Sequence, residues 1–327
     1  MAARALNLPD AEDLNVLDVH PLREMEPSNH LLEDHAALMR SYEENGYLLL
    51  RQILNPESVA EARDAMLAVA AQVGLTEPGD STGVWTGKPF LPGMEESPEF
   101  SGISHRLIEH PENRAVLEKI LGERLSVVPI VQYRIYPHGP GTAVHQDGFQ
   151  SPGIKDYKPV WIALAPCDRT MGGLMVAVGQ NKRGFFNNIA KPAPYPVPEG
   201  VIPADSWATT DYQPGDVLIV HPYTPHGARP NVSNRLRVSF DTRVQSARNP
   251  SAMAVTVKSV TPDSITVDAD ELGERTFKVD EDTFVRVVHP GVREPFNKFS
   301  EVTKPGMRLV LVREGDRVAM LRKASEG

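Results

Sequence analysis

The sequence predicts a mainly β protein with helices flanking its core, and three observations carry that prediction. From Leu125 onward apolar residues recur with a period of two in short runs: VVPIVQYRIY, PVWIALAP, GLMVAV, DVLIVHP and RLRVSFDTRV. That spacing sends alternate side chains to opposite faces of a strand. Proline supplies 29 of 327 residues, about 9% against roughly 5% on average. Beside 24 glycines, such a count means many turns. The third observation is that helical spacing is confined to the first third of the chain.

Taken in order, LLEDHAALMRSYEE (31–44) and PESVAEARDAMLAVAAQV (56–73) carry apolar residues at three- and four-residue intervals and predict helices. The second opens with Asn55 as N-cap and Pro56 at the first helical position. Between them GYLLLRQIL predicts a strand, and 110–120 a further helix stopped near Gly122. The β-rich centre follows. The prolines cluster only in KPAPYPVPEGVIP at 191–203, where no helix can continue and a loop or lid is expected. After Asn249-Pro250 six more short strands are predicted: AMAVTVKSV, SITVDA, RTFKV, TFVRVVH, MRLVLVRE and RVAMLRK. The organisation read from this is an N-terminal extension (1–29), a main domain (30–248) and an appended small β domain (251–327).

With 34 Lys plus Arg against 43 Asp plus Glu the net charge is −9. No basic stripe interleaved with aromatics offsets it, so nucleic acid is not an expected partner. No apolar run approaches the roughly 18 residues of a membrane helix, and the start lacks a signal-like apolar stretch. The expected location is cytoplasmic. The one cysteine, Cys167, excludes an intrachain disulfide and a four-cysteine metal site; it reads as a small buried hydrophobe.

Chemistry concentrates in the centre. In His145-Gln146-Asp147 an imidazole and a carboxylate stand two residues apart, the spacing that puts both on one face of a strand. The apolar run DVLIVHP leads to Tyr223-Thr224-Pro225-His226-Gly227, where a turn delivers a second imidazole. Two imidazoles and a carboxylate form the facial triad of non-haem iron(II), with positions left open for other ligands. Arg237 lies eleven residues after His226 on a strand where alternation groups it with Arg235 and Ser239. There its planar fork suits a carboxylate. His221, five residues before His226, is a rival ligand, and Arg237 could equally serve an ordinary ion pair.

The order of VHQDGF (144–149), VWIALAP (160–166), MGGLMVAVGQNKRG (171–184) and GDVLIVHPYTPHGARPNVSNRLRVSF (215–240) resembles the phytanoyl-CoA dioxygenase family of iron(II)- and 2-oxoglutarate-dependent oxygenases. So does the helix-strand-helix entry LMRSYEENGYLLLRQILNPESVAEARDAM, and the likeness spans about residues 30–243. It implies a double-stranded β-helix, a cupin-like jelly roll with helices outside. It implies Fe(II) on His145, Asp147 and His226, with 2-oxoglutarate and O2 as cosubstrates, and it decides for His226 over His221. Arg237 would hold the distal carboxylate of 2-oxoglutarate, with Gln132 and Trp161 lining its pocket. The implied reaction hydroxylates a C–H bond of a small or medium organic metabolite, releasing succinate and CO2. An intact Asp147 disfavours halogenation, because it fills the position a chloride would need, whereas desaturation, epimerisation and ring formation begin with the same hydrogen abstraction.

Three departures from the family pattern stand out. Val178-Gly179-Gln180-Asn181 replaces a common Pro-Gly-Ser-His, Ala228 replaces a Ser that helps to bind 2-oxoglutarate, and residues 251–327 fall outside the pattern. The loops at 81–98, 149–158 and 191–203 are placed to choose the substrate, and Trp85, Phe149, Tyr157 and Arg183 are candidate contacts. The C-terminal segment is assigned either a homodimer contact or a role in closing the site. The competing class is a non-catalytic jelly-roll binding module; a zinc or nickel cupin-like enzyme is a third. Arg237 argues against both, since neither needs a dedicated cosubstrate arginine.

Overall fold

The computed structural model describes residues 22–89, 98–150, 157–186, 197, 200–270, 272–288 and 293–324. Most of the predicted N-terminal extension and of the Pro-rich 191–203 segment lies outside the described residues, as does the side chain of Phe149.

The chain opens with β1 (Arg23–Glu24), α1 (His35–Asn45), β2 (Tyr47–Leu50) and α2 (Pro56–Gln72). Asn55 caps α2 by accepting from the Ser58 N–H at 3.0 Å, with Pro56 in the first turn as the sequence predicts. α1 starts four residues later than predicted, because Asp34 accepts from the Ala37 N–H and so sets the first turn. Gly46 ends it in the left-handed region at φ 78°, where a side chain would be strained. Next come α3 (Ile103–Glu109) and α4 (Pro111–Leu121). α3 escapes sequence reading: it has seven residues and begins at Gly102 with no side-chain cap.

The β-rich centre comprises β3 (Leu125–Tyr136), β4 (Thr142–His145), the one-turn α5 (Asp147–Gln150), β5 (Lys158–Ala163), β6 (Leu174–Ala177), β7 (Trp207–Thr209), β8 (Val217–Val220), β9 (His226–Ala228) and β10 (Arg237–Ser246). Its strands form two five-stranded sheets, β1-β7-β6-β9-β4 and β2-β8-β5-β10-β3. Successive strands mostly switch sheet, so the inner faces share one core. Tyr47, Leu49, Trp161 and Leu218 of one sheet cluster with Leu174, Val176, Ala208 and Ala228 of the other. β11 (Ala252–Val260), β12 (Ser264–Ala269), β13 (Gly273–Lys278), β14 (Phe284–Arg286), α6 (Phe299–Val302), β15 (Arg308–Glu314) and β16 (Arg317–Lys323) follow. Their strands make a sheet in the order β13-β12-β11-β15-β16-β14, and a further β13–β16 pairing closes a ring of five. Alternate residues such as Met253, Val255 and Val257 fill it, as period-two patterning requires.

The chain divides into two compact units. The first holds the described residues of 1–120, 132–149 and 159–241, and the second those of 121–131, 150–158 and 242–327. The sequence puts the division near 250. In the structure, however, Val128 and Ile130 of β3 pack with Ala252, Val310, Val312 and Met320, so the second unit also draws on chain far upstream. No helix among the described residues is long and apolar enough to cross a membrane.

β2 joins the second sheet through β8, from Tyr47↔Val220 to Leu50↔Val217, and a buried carboxylate locks the turn after it. Asp216, fully buried, binds Arg51 Nη1 at 2.7 Å and accepts from the backbone N–H groups of Gln52 (2.9 Å) and Gln213 (2.8 Å). These contacts hold Gln52 at φ 48°, a region a non-glycine residue seldom adopts. Asp216→Ala removes one partner of a buried pair and orphans two N–H groups. The expected loss is about 3 kcal/mol, read as a lower urea midpoint of the main unfolding transition.

Candidate metal and cosubstrate site

β4 and β9 run antiparallel with Thr142 opposite Ala228 and His145 opposite His226. Two glycines allow their approach. A Cβ on Gly141 would lie 1.9 Å from the Ala228 carbonyl oxygen, and one on Gly227 2.7 Å from that of Thr142; both are inside contact distance. The two imidazoles therefore face each other with ring centroids 4.3 Å apart. Asp147 reaches them from beyond the strand, since β4 ends at His145 and Asp147 opens α5. The spacing argument thus succeeds by a different geometry: the carboxylate comes from a helical turn and not from the same strand face.

One ligand atom from each of His145, Asp147 and His226 lies within 4.8 Å of the others. Asp147 Oδ1 is 3.6 Å from His145 Nε2 and 4.0 Å from His226 Nε2. Each imidazole is oriented from behind. His145 Nδ1 lies 2.9 Å from the Ala143 carbonyl and His226 Nδ1 3.0 Å from that of Thr224, which makes Nδ1 the N–H donor and gives Nε2 the lone pair. Burial, followed by the neighbouring His145, pushes the His226 pKa down to about 4, so the ring is neutral near pH 7, the state a metal ligand needs. The donor set fits an iron(II) ion: two imidazoles and one carboxylate, whose ligand atoms lie within 4.8 Å of one another, would hold it.

The pocket beside this cluster is small, about 40 Å³, and is lined also by Trp161, Arg134, Asp241 and Arg237. Arg237 is 3% exposed, and Nη1 donates to the Gly172 carbonyl while the guanidinium carbon lies 4.8 Å from the centre of the Tyr136 ring. Its Nε is buried with no hydrogen-bond partner. Burial pushes its pKa down. A desolvated cation with an unused donor is costly unless an anion completes it, and the distal carboxylate of 2-oxoglutarate has that charge and shape. Trp161 Nε1 is likewise buried and unpartnered in this pocket.

Other sequence-predicted residues lie elsewhere. Gln132 does not line the pocket; its Oε1 accepts from Arg134 Nη2. Trp85 and Ala228 line a second cavity, where Trp85 donates to the Lys88 carbonyl at 2.7 Å. Tyr157 is buried in the second unit among Val128, Ile130 and Ala252. Arg183, exposed, binds the Val201 carbonyl and lies over Phe186. His221 makes a 3.7 Å contact with Glu43, outside the triad. Asn181, at the Gly-Gln-Asn departure, donates to the Glu43 carbonyl at 2.9 Å. Cys167 is buried and its thiol pKa is pushed up to about 12, chiefly by that burial, so it is inert as a nucleophile.

Sequence reading missed three residues. Arg134 and Asp241, joined at 2.7 Å, line the triad pocket, and Arg134 also donates to Tyr136 Oη. Polar residues at 132, 134 and 136, alternating with apolar ones on one strand, were the signal. Gln146, between the two ligand candidates, is 1% exposed. It donates to the carbonyls of Gly184 (2.8 Å) and Tyr223 (2.7 Å) and accepts from the Phe186 N–H, tying flanking loops to the triad.

The phytanoyl-CoA dioxygenase (PhyH) profile matches residues 42–239. A 1-deoxypentalenic acid 11-beta-hydroxylase from Streptomyces exfoliatus is 34% identical over 236 residues, covering 66% of this chain and 83% of the relative. The chain belongs to the phytanoyl-CoA dioxygenase family. It is therefore an iron(II)- and 2-oxoglutarate-dependent oxygenase. A second family member, the enzyme of the same name from Streptomyces arenae, is 33% identical over 240 residues, with 66% and 83% of the two chains covered. A solved non-heme monooxygenase, ThoJ, matches with TM-score 0.47 and 18% identity over 70% of this chain and 82% of its own.

Arg237 holds its charge without a carboxylate contact among the described residues. Arg237→Met, which keeps the stem and removes the buried cation, is expected to raise the metal-free protein's stability by roughly 1–3 kcal/mol. Urea denaturation measures this, and a lowered midpoint would show that the cation is already satisfied within the fold.

Proposed function

We propose that this chain hydroxylates an unactivated C–H bond of a small or medium organic metabolite, in a double-stranded β-helix whose ligands are His145, Asp147 and His226. One observation carries the reading: the triad converges in the same pocket as a buried arginine whose Nε lacks a partner. The jelly-roll assignment is supported by strand order, since β3, β5, β8 and β10 fall in one sheet and β4, β6, β7 and β9 in the other. When bound, iron(II) with 2-oxoglutarate and O2 supplies the oxidising power, with succinate and CO2 released.

The chain's own residues do the rest. Carbonyls of Ala143 and Thr224 fix the imidazole tautomers, Asp147 supplies the carboxylate ligand, and Arg237 orients the cosubstrate by its far carboxylate. Trp161 closes the apolar side and offers Nε1 as a further donor. The ion pair of Arg134 with Asp241 gives the pocket a further polar group, suited to orienting a polar group of the substrate. Because the relatives are named for hydroxylating 1-deoxypentalenic acid, organic acids of that kind are the first substrates to offer. One cysteine in the chain and the need to keep iron(II) reduced suit a cytoplasmic setting.

Anaerobic addition of 2-oxoglutarate to iron(II)-loaded protein is expected to give the weak visible metal-to-ligand charge-transfer band. His145→Ala abolishes it, and Arg237→Ala lowers cosubstrate affinity by about tenfold to a hundredfold, the weight of a hydrogen-bonded charge. A band indifferent to both substitutions would remove these residues from the site. Succinate formation stimulated by one organic acid of a panel would then identify the substrate class.

A further inference from the structure

Behind Arg237 lies a second cavity of about 470 Å³, more than ten times the roughly 40 Å³ beside the triad. Arg237 and Thr142 line both, so the two spaces share a wall. The larger one is cationic: Arg229 and Arg237 line it beside His138, and no carboxylate is in its lining among the described residues. The Arg229 guanidinium has no hydrogen bond or ion pair among the described residues. Burial and Arg169 push its pKa down, as expected of a cation still lacking an anion. Both ring nitrogens of His138 are buried without a partner, and its ring stacks at 6.2 Å on Trp85. In a chain of net charge −9, an anion needs such a local positive field to approach.

We propose that this cavity is an antechamber for small dicarboxylates, in which Arg229 and His138 hold one carboxylate of a 2-oxoglutarate moving in toward Arg237 or of a succinate moving out. The inference rests on Arg237 being the cosubstrate anchor. Two cationic anchors along one cavity suit a molecule with a carboxylate at each end, which passes from the outer to the inner without leaving a charge unpaired. Thr142, which lines both spaces with Arg237, is the smaller residue of the shared wall.

The test uses the full chain. Metal-free protein titrated calorimetrically with succinate should bind it, and Arg229→Gln and, separately, His138→Leu should each weaken binding about tenfold, while Arg229→Lys retains most of it. In the iron(II)-loaded protein, mixed anaerobically with 2-oxoglutarate in stopped flow, Arg229→Gln should slow the growth of the charge-transfer band by a similar factor and leave its final amplitude at saturation. A slowed band with unchanged succinate affinity assigns the cavity to the entering cosubstrate, and the reverse assigns it to the departing product. Wild-type values in both experiments for folded Arg229→Gln and His138→Leu overturn the proposal. Arg229-dependent succinate binding with no charge-transfer band in wild type would keep the antechamber and remove the cosubstrate reading of Arg237.

Discussion

The site depends on the close approach of β4 and β9. Backbone oxygen atoms occupy the places that Cβ atoms of residues 141 and 227 would take, so glycine at both positions is a steric condition for the pairing. That pairing sets His145 against His226, and the carbonyls two residues before each imidazole turn both Nε2 atoms inward. The convergence of donors is thus a property of backbone geometry, with the side chains confined to rotamers that the strands impose. Asp147 completes it only because the strand stops at His145 and a helical turn starts at once.

Around that pair the fold accepts energetic costs that packing alone would avoid. Arg237 is desolvated with one donor unused, Trp161 Nε1 is buried without a partner, and Asp147 sits 8% exposed beside two imidazoles. Other buried polar groups are well partnered: Asp216 has three partners, and Asn113 contacts Asn55, Ser58 and Leu107. At Arg237, a charged ligand of the enzyme class would supply what is missing. The fold tolerates the deficit because the two sheets share an apolar core that holds the walls in place.

Legibility from sequence followed the range of the interactions. Helix α2 was readable to its cap, since Asn55, Pro56 and the apolar spacing are local. The five ring strands beyond residue 250 were readable by period two. α3 was not, because seven residues without a capping side chain leave little pattern, and its place is set by contacts such as the Ser104 N–H donating to Tyr133 Oη. That Val128 and Ile130 pack with the C-terminal strands was not readable, because alternation on β3 does not say which neighbour covers which face.

By itself the sequence determined the candidate ligand types and their order: His145, Asp147, His226 and Arg237, together with the period that makes the centre β and the family likeness that names the cosubstrate. These are properties of residue identity and spacing along one chain. Only the tertiary structure decided which side chains meet. It placed Arg134 and Asp241 in the triad pocket, engaged Gln132 with Arg134, and gathered Arg229 and His138 behind Arg237. The physical reason is that such meetings depend on strand pairing between segments as much as 107 residues apart, as for Arg134 and Asp241. No local propensity encodes that pairing.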